Sequence, residues 1–230
     1  MGIRERHERD REAVRRAILD VARDLFVTEG YQNISLRKIA ERIEYSPAAI
    51  YGYFACKDDI FFALAEEGFH LLRGDEPGRR RRLDGLAPLD RIREMFWHVY
   101  EFSREHPQYF ALMFVDRHVP RIRREYERFA FVRDMKQELV ARIQDCIDAG
   151  ALPSTLDAAV VSRLLIMGVL GVGAMRLSDR LGPPEQADPL ARDVLNTLLA
   201  GLQSGATLQS TDAPCAAEEA AEEHVRARVS

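Results

Sequence analysis

The chain is poor in cysteine, with three residues, at positions 56, 146 and 215, among 230. Scattered in this way they supply neither an even disulfide set nor the close spacing of a metal site, and a reducing cytoplasm is the expected home. Long apolar runs are also missing. The longest uncharged apolar stretch, Leu164 to Met175, has 12 residues, short of the roughly 18 to 20 that cross a bilayer, so it reads as a buried helix and no membrane is expected. No apolar signal region follows the charged N-terminus. There is no nucleophile elbow, no phosphate-cradling loop and no paired cysteine set, so the sequence offers no catalytic residue, no metal site and no cofactor. A helical-bundle enzyme or metal-binding protein without DNA binding is the alternative reading. Its support is thin, because a di-iron bundle needs two Glu-x-x-His motifs and the chain supplies Glu67 to His70 alone.

What the chain does have is charge and helical period. Hydrophobic residues make up 47% and charged residues 30%, with a net charge of −4, which argues against a protein that coats nucleic acid indiscriminately. Basic and acidic residues balance over residues 1–60, so any DNA-binding face there must come from positioning. No strand pattern survives a pass along the chain, which predicts an all-α protein of about nine helices, three in an N-terminal head over 11–57 and six in a body over 58–204. Residues 1–10, charged and without periodicity, read as a mobile arm. Val14, Ala17, Ile18, Val21, Leu25 and Phe26 mark an amphipathic helix closed by Gly30. A linking helix begins near Asp58, and residues 73–88, with their Arg79–Arg82 run, read as a flexible, solvated loop. Leu89, Ile92, Phe96 and Val99 mark a helix ending near His106-Pro107. A short aromatic helix covers Gln108 to Val115. A long one follows Pro120 to about Ala149, with Ile122, Tyr126 and Phe129 inward. Ser154 and Asp157 resemble a capping pair, Asp188-Pro189 opens the last helix, and residues 205–230 read as a disordered tail.

The most informative stretch is Ser35 to Ile60, SLRKIAERIEYSPAAIYGYFACKDDI, which reads as two short helices, a tight turn between them, and the start of a third. Leu36, Ile39, Ala40 and Ile43 recur at helical spacing, and the small Ala40 leaves room for a second helix to cross closely. That second helix has Ser46 as an N-cap and Pro47 at its first position, where the missing N–H costs nothing. Ile50 and Phe54 lie four apart on its inner face, leaving Pro47, Ala48, Ala49 and Tyr51 outward.

The order of Ser35, Ile39-Ala40, Ser46, Ile50-Tyr51, Tyr53-Phe54 and Lys57 resembles the DNA-binding domain of the TetR family of bacterial transcriptional regulators, over about the first 65 residues. The resemblance implies a three-helix helix-turn-helix domain that binds double-stranded operator DNA. It further implies a roughly six-helix domain for homodimerisation and for a small-molecule effector, and repression as the mode of action. By the family's pattern Ser35, Tyr51 and Lys57 contact phosphates, and neither Tyr51 nor Lys57 has an evident core role. Pro47, Ala48 and Ala49 can touch thymine methyls but donate no side-chain hydrogen bond, so Arg37 is the expected base reader, with Tyr53 reaching a base or the backbone. Three features depart from the family. Glu44 stands where a glycine is usual in the turn, Ile43 and Tyr45 replace its small neighbours, and Cys56 stands where Ser or Asn usually caps the linking helix. Asp58 and Asp59 are then expected to support that helix end through its dipole.

In the body, Gly168, Gly171 and Gly173 let a partner helix approach. Leu164, Gly168, Gly171, Met175, Val194, Leu198 and Leu202 are the expected homodimer contacts, built as a four-helix interface. An apolar effector cavity is expected among Phe96, Trp97, Tyr100, Phe110, Met113, Phe114, Met135 and Met167.

Overall fold

The computed structural model describes residues 3–74, 82–121, 125, 127–181 and 187–210. Among them the regular structure is helical throughout. The head is α1 (Ile3–Glu29), α2 (Leu36–Arg42) and α3 (Pro47–Tyr51). Its core joins Ile18, Leu19, Ala22, Leu25 and Phe26 of α1 to Leu36, Ile39, Ala40 and Ile50 of α2 and α3, all buried. Gly30, at φ 84, ends α1 in a conformation that costs glycine little.

The expected irregular arm is instead the opening of α1, which is already helical at Ile3. Residues 5–10 stay exposed. Arg and Glu are good helix formers that need no core, and the Arg9 guanidinium closes back on the Glu5 carbonyl at 3.4 Å.

The body begins with α4 (Lys57–Arg73), whose Ile60, Phe61, Leu64, Phe69 and Leu72 are buried. It continues through α5 (Pro88–Glu105) and α6 (Pro107–Phe110), then a π turn over Ala111–Val115, and closes with α7 (Ala130–Asp148), α8 (Ala158–Leu177) and α9 (Ala187–Gln203). Helix α7 starts later than its apolar spacing suggested, because the backbone at Phe129 is non-helical (φ −103, ψ 21). Phe129 is buried all the same. Ile122 and Tyr126 lie outside the described residues, as do Arg79–Arg81 and the tail from 211 onward. Part of the expected loop is ordered: Arg91 donates from Nε to the Leu83 carbonyl at 2.9 Å and from Nη2 to that of Asp84 at 3.0 Å. Asp157 does not follow Ser154 into a helix but is itself the N-cap of α8, its Oδ1 accepting from the N–H groups of Ala159 and Val160 at 2.8 and 3.1 Å.

Helix α8 packs against α5, α7 and α9. It is long and apolar enough to cross a membrane, with a mean hydropathy of 2.0, but it carries Arg163 and Arg176 and forms the centre of this helical body. Its glycines divide by role. A Cβ on Gly168 would lie 2.8 Å from Leu198 of α9, and one on Gly173 would lie 2.8 Å from Phe110, so both serve packing within the chain rather than an incoming partner. A Cβ on Gly171 would meet nothing within 4 Å. Leu202, grouped above with the dimer contacts, is buried in the chain's own core. Met167, grouped with the cavity, projects outward with 66% exposure. Both corrections have one cause: helical period shows which residues share a face, not which face a neighbouring helix covers.

Glu44 occupies the turn between α2 and α3 at φ 60, a left-handed conformation that costs a side-chain-bearing residue about 1 kcal/mol relative to glycine. Glu44→Gly is expected to raise the unfolding free energy by up to that amount, read as a higher urea midpoint with an unchanged m-value.

Candidate nucleic-acid interface

The two short helices of the head are held at their starts by hydroxyl caps. Ser35 Oγ accepts the Lys38 N–H at 3.2 Å, and Ser46 Oγ accepts the Ala49 N–H at 3.2 Å. With Ile39, Ala40 and Ile50 buried, Ser35, Arg37, Ser46, Pro47, Ala48 and Tyr51 are left exposed, with Ala49 half-buried. Tyr51 is 60% exposed. Arg37 is aligned along α2 by Glu41, whose Oε1 accepts from its Nε at 2.9 Å, and it remains on the surface.

Two candidates are more engaged than the sequence suggested. Lys57 does have a structural role: its Nζ donates to the Tyr31 carbonyl at 2.7 Å and lies 4.1 Å from the Tyr31 ring centroid. Burial holds its pKa below the ordinary lysine value. The Tyr31 hydroxyl in turn donates to Asp58, and burial followed by that carboxylate pushes its ionisation well above the usual range. Asp58 therefore acts by a direct bond, and so does Asp59, whose Oδ2 accepts the Cys56 N–H at 3.1 Å. Tyr53 is half-buried with the Arg11 guanidinium 5.7 Å over its ring.

Sequence reasoning missed the neighbours of this face. Arg11 and Arg15, four apart on α1, sit over Tyr53 and Phe54 beside the end of α3. Tyr45 is exposed in the turn. The i, i+4 spacing of the two arginines was visible, but the aromatic rings beneath them are contributed by a distant part of the chain.

A polar cluster ties the head to the body. Arg16 of α1 donates to Asp20 at 2.6 Å and to Glu67 of α4 at 2.6 Å, with the Tyr109 hydroxyl of α6 at 3.5 Å. Arg23 donates to Gln108 Oε1 at 2.8 Å and to the Tyr109 hydroxyl at 3.2 Å, while the Gln108 amide donates to Asp24 at 2.9 Å. Three elements thus meet on two guanidinium groups.

Of the cavity candidates, Phe96, Trp97, Tyr100 and Phe110 are buried, whereas Met113, Phe114 and Met135 are half-buried against the same core. The Tyr100 hydroxyl donates to Asp188 at 2.7 Å. These side chains pack on one another: the Trp97 and Tyr100 rings lie 5.0 Å apart and those of Phe110 and Phe114 5.4 Å apart. The dimer candidates Gly171 and Met175 are exposed, and Leu164, Gly168, Val194 and Leu198 half-buried.

Two family models match this arrangement in order along the chain. That of the bacterial regulatory proteins of the tetR family covers residues 18–64, and that of the tetracyclin repressor-like C-terminal domain covers residues 92–198. The chain belongs to the TetR family.

Curated relatives match stretches of very different length. The HTH-type transcriptional repressor Rv1474c of Mycobacterium tuberculosis is 46% identical over 55 residues, which span 24% of this chain and only 29% of that one. The HTH-type transcriptional regulator AcrR of Shigella flexneri is 28% identical over 174 residues, 71% of this chain and 79% of its own. The solved structure of FadR from Bacillus subtilis, in complex with stearoyl-CoA, shares the fold with a TM-score of 0.64 at 15% identity, covering 80% of this chain and 97% of that one.

Arg16 joins α1 to α4 through Glu67. Arg16 foremost holds the Asp20 carboxyl below its usual range. The stabilisation is present at neutral pH and is lost as the pH falls through that depressed value, below about 4. Arg16→Ala is expected to cost about 1 kcal/mol at pH 7, since the pairs are partly solvent-screened. Urea titrations at pH 7 and pH 3 check this, the difference between the two proteins shrinking at pH 3.

Proposed function

We propose that this chain is a sequence-specific DNA-binding transcriptional regulator, working as a repressor on a palindromic operator in the cytoplasm. The observation that carries the reading is the pair of serine-capped helices packed through buried Ile39, Ala40 and Ile50, which leaves Ser35, Arg37, Pro47, Ala48 and Tyr51 exposed. In this reading Ser35, Tyr51 and Lys57 bind phosphates and fix register, the last through N–H groups beyond the one given to Tyr31. Arg37 and Tyr53 reach base edges, and Pro47, Ala48 and Ala49 meet thymine methyls. A head of this size reads few base pairs, so two copies are needed for a useful site, and the two-fold axis of a dimer makes the site a palindrome.

The homodimer forms through α8 and α9. The support is an apolar strip that the chain itself leaves uncovered: Met167, Gly171 and Met175 are exposed and Leu164, Val194 and Leu198 half-buried. Binding of a small, largely apolar effector in the body releases the operator by shifting the head through α4. The helical-enzyme alternative loses its motif, because Glu67 is paired with Arg16 at 2.6 Å and His70 stacks on Phe131 with ring centroids 4.4 Å apart.

Selection of bound sequences from random DNA is expected to return a palindrome; recovery of no motif in low salt would falsify the assignment. Against the selected site, Arg37→Ala is expected to cost about 1–3 kcal/mol and relax preference at one position per half-site, while Lys57→Ala weakens all sequences alike and lowers the salt slope by about 1. Sedimentation supplies the check on assembly: Met167→Arg is expected to convert a dimer into a folded monomer with much weaker operator binding, and a wild-type monomer that binds normally would refute the dimer.

A further inference from the structure

Away from the closely packed aromatic cluster of the body, an opening lies at the seam between head and body. A cavity of about 280 Å³ is walled on the head side by Phe26, Val27 and Gly30 from the end of α1, and on the body side by Ala111, Leu112 and Val115. That volume is just below the range of about 300–1,000 Å³ for drug-sized ligands, so it suits a smaller molecule. All three body residues belong to the π turn, a departure from α-geometry that is found disproportionately at functional sites. Val115 leaves 45% of its surface to water.

The polar part of the lining is Asp116 and His118, with no lysine or arginine among the lining residues. The Asp116 carboxylate accepts the His118 backbone N–H at 2.8 Å and approaches the His118 imidazole Nδ1 at 3.3 Å, both through Oδ1. Among the described residues no hydrogen bond or ion pair engages the second oxygen, Oδ2. An apolar hollow beside a carboxylate, with no lysine or arginine among its described lining residues, suits a compact apolar molecule with a positive charge at one end.

We propose that this crevice binds a small apolar cation, of the class of an aromatic ring bearing an ammonium-methyl group. The ring lies between Val27 and Ala111 and the ammonium donates to Asp116. Because the walls belong to head and body, occupancy and head position are linked, and a ligand there alters operator affinity. This second step rests on the reading of the chain as a DNA-binding regulator; the binding itself does not.

Calorimetric titration of the full chain with benzylammonium, with benzyl alcohol and phenylacetate as neutral and anionic matches, tests the site. Benzylammonium is expected to bind most tightly of the three, to lose about tenfold in affinity in Asp116→Asn, and to lose binding in the filling variant Val27→Trp. Ala111→Leu is a second filling variant, used if circular dichroism shows that Val27→Trp does not fold. Equal binding of all three compounds, no binding to the wild type, or affinities unmoved by these substitutions overturns the proposal. With the crevice saturated, operator affinity is expected to shift by about fivefold or more; an unchanged affinity overturns the coupling. Failure to select any DNA motif instead overturns the regulator reading and leaves the calorimetric result standing.

Discussion

A head of fewer than about 60 residues buries too little apolar surface to be more than marginally stable on its own, and the rest of the structure follows from what it leans on. The support is a continuous run of rings in edge-on and tilted contact. Phe26 of α1 meets Tyr31 at 5.0 Å, Tyr31 meets Phe61 of α4 at 5.9 Å, and the series continues through Phe62, Phe129, Phe69 and Phe114 into the body. Such pairs add to the area they bury, and together they make head and body one hydrophobic core rather than two domains on a linker.

Around this apolar run the polar groups are arranged so that α1 has contacts on two sides. One side closes on α2, which crosses α3; the other carries Arg16 and Arg23 to α4 and α6. The same seam holds the π turn and the crevice beside it. A displacement of α6 must therefore either carry α1 with it or break charge-assisted hydrogen bonds, which is the physical content of coupling between body and head. Lys57 and Asp58 extend this to the other end of α4, where Tyr31 receives the ammonium through its carbonyl and ring and gives its hydroxyl to the carboxylate. A lysine held in this way has a fixed orientation.

Much of the head was legible because its signals are local. Caps act over three residues, as at Ser35 and Ser46; a proline at a first helical position needs no partner; a strained turn announces itself where Glu44 replaces glycine. Each of these depends on backbone geometry within a few residues, which sequence encodes directly. The body was legible in outline for a similar reason, since the 3.6-residue period of α5 and α9 survives in the order of apolar residues and α8 shows as an uncharged apolar run. It failed at boundaries and faces. The late start of α7 turns on a non-helical backbone at Phe129 that no cap residue marks. The helical start of α1 lacks an apolar period because nothing covers it.

By itself, then, the sequence determined that the protein is helical, where its helix-turn-helix lies, and which side chains that motif turns outward. These properties depend on spacing within one or two turns of chain. Only the tertiary structure decided that Gly168 and Gly173 serve the chain's own packing, that Met167 faces out while Leu202 faces in, and that Lys57 rests on Tyr31. It also decided that a cavity opens at the seam between head and body. Each of these is a contact between residues far apart in sequence, and periodicity carries no information about which distant element supplies the other half of a contact.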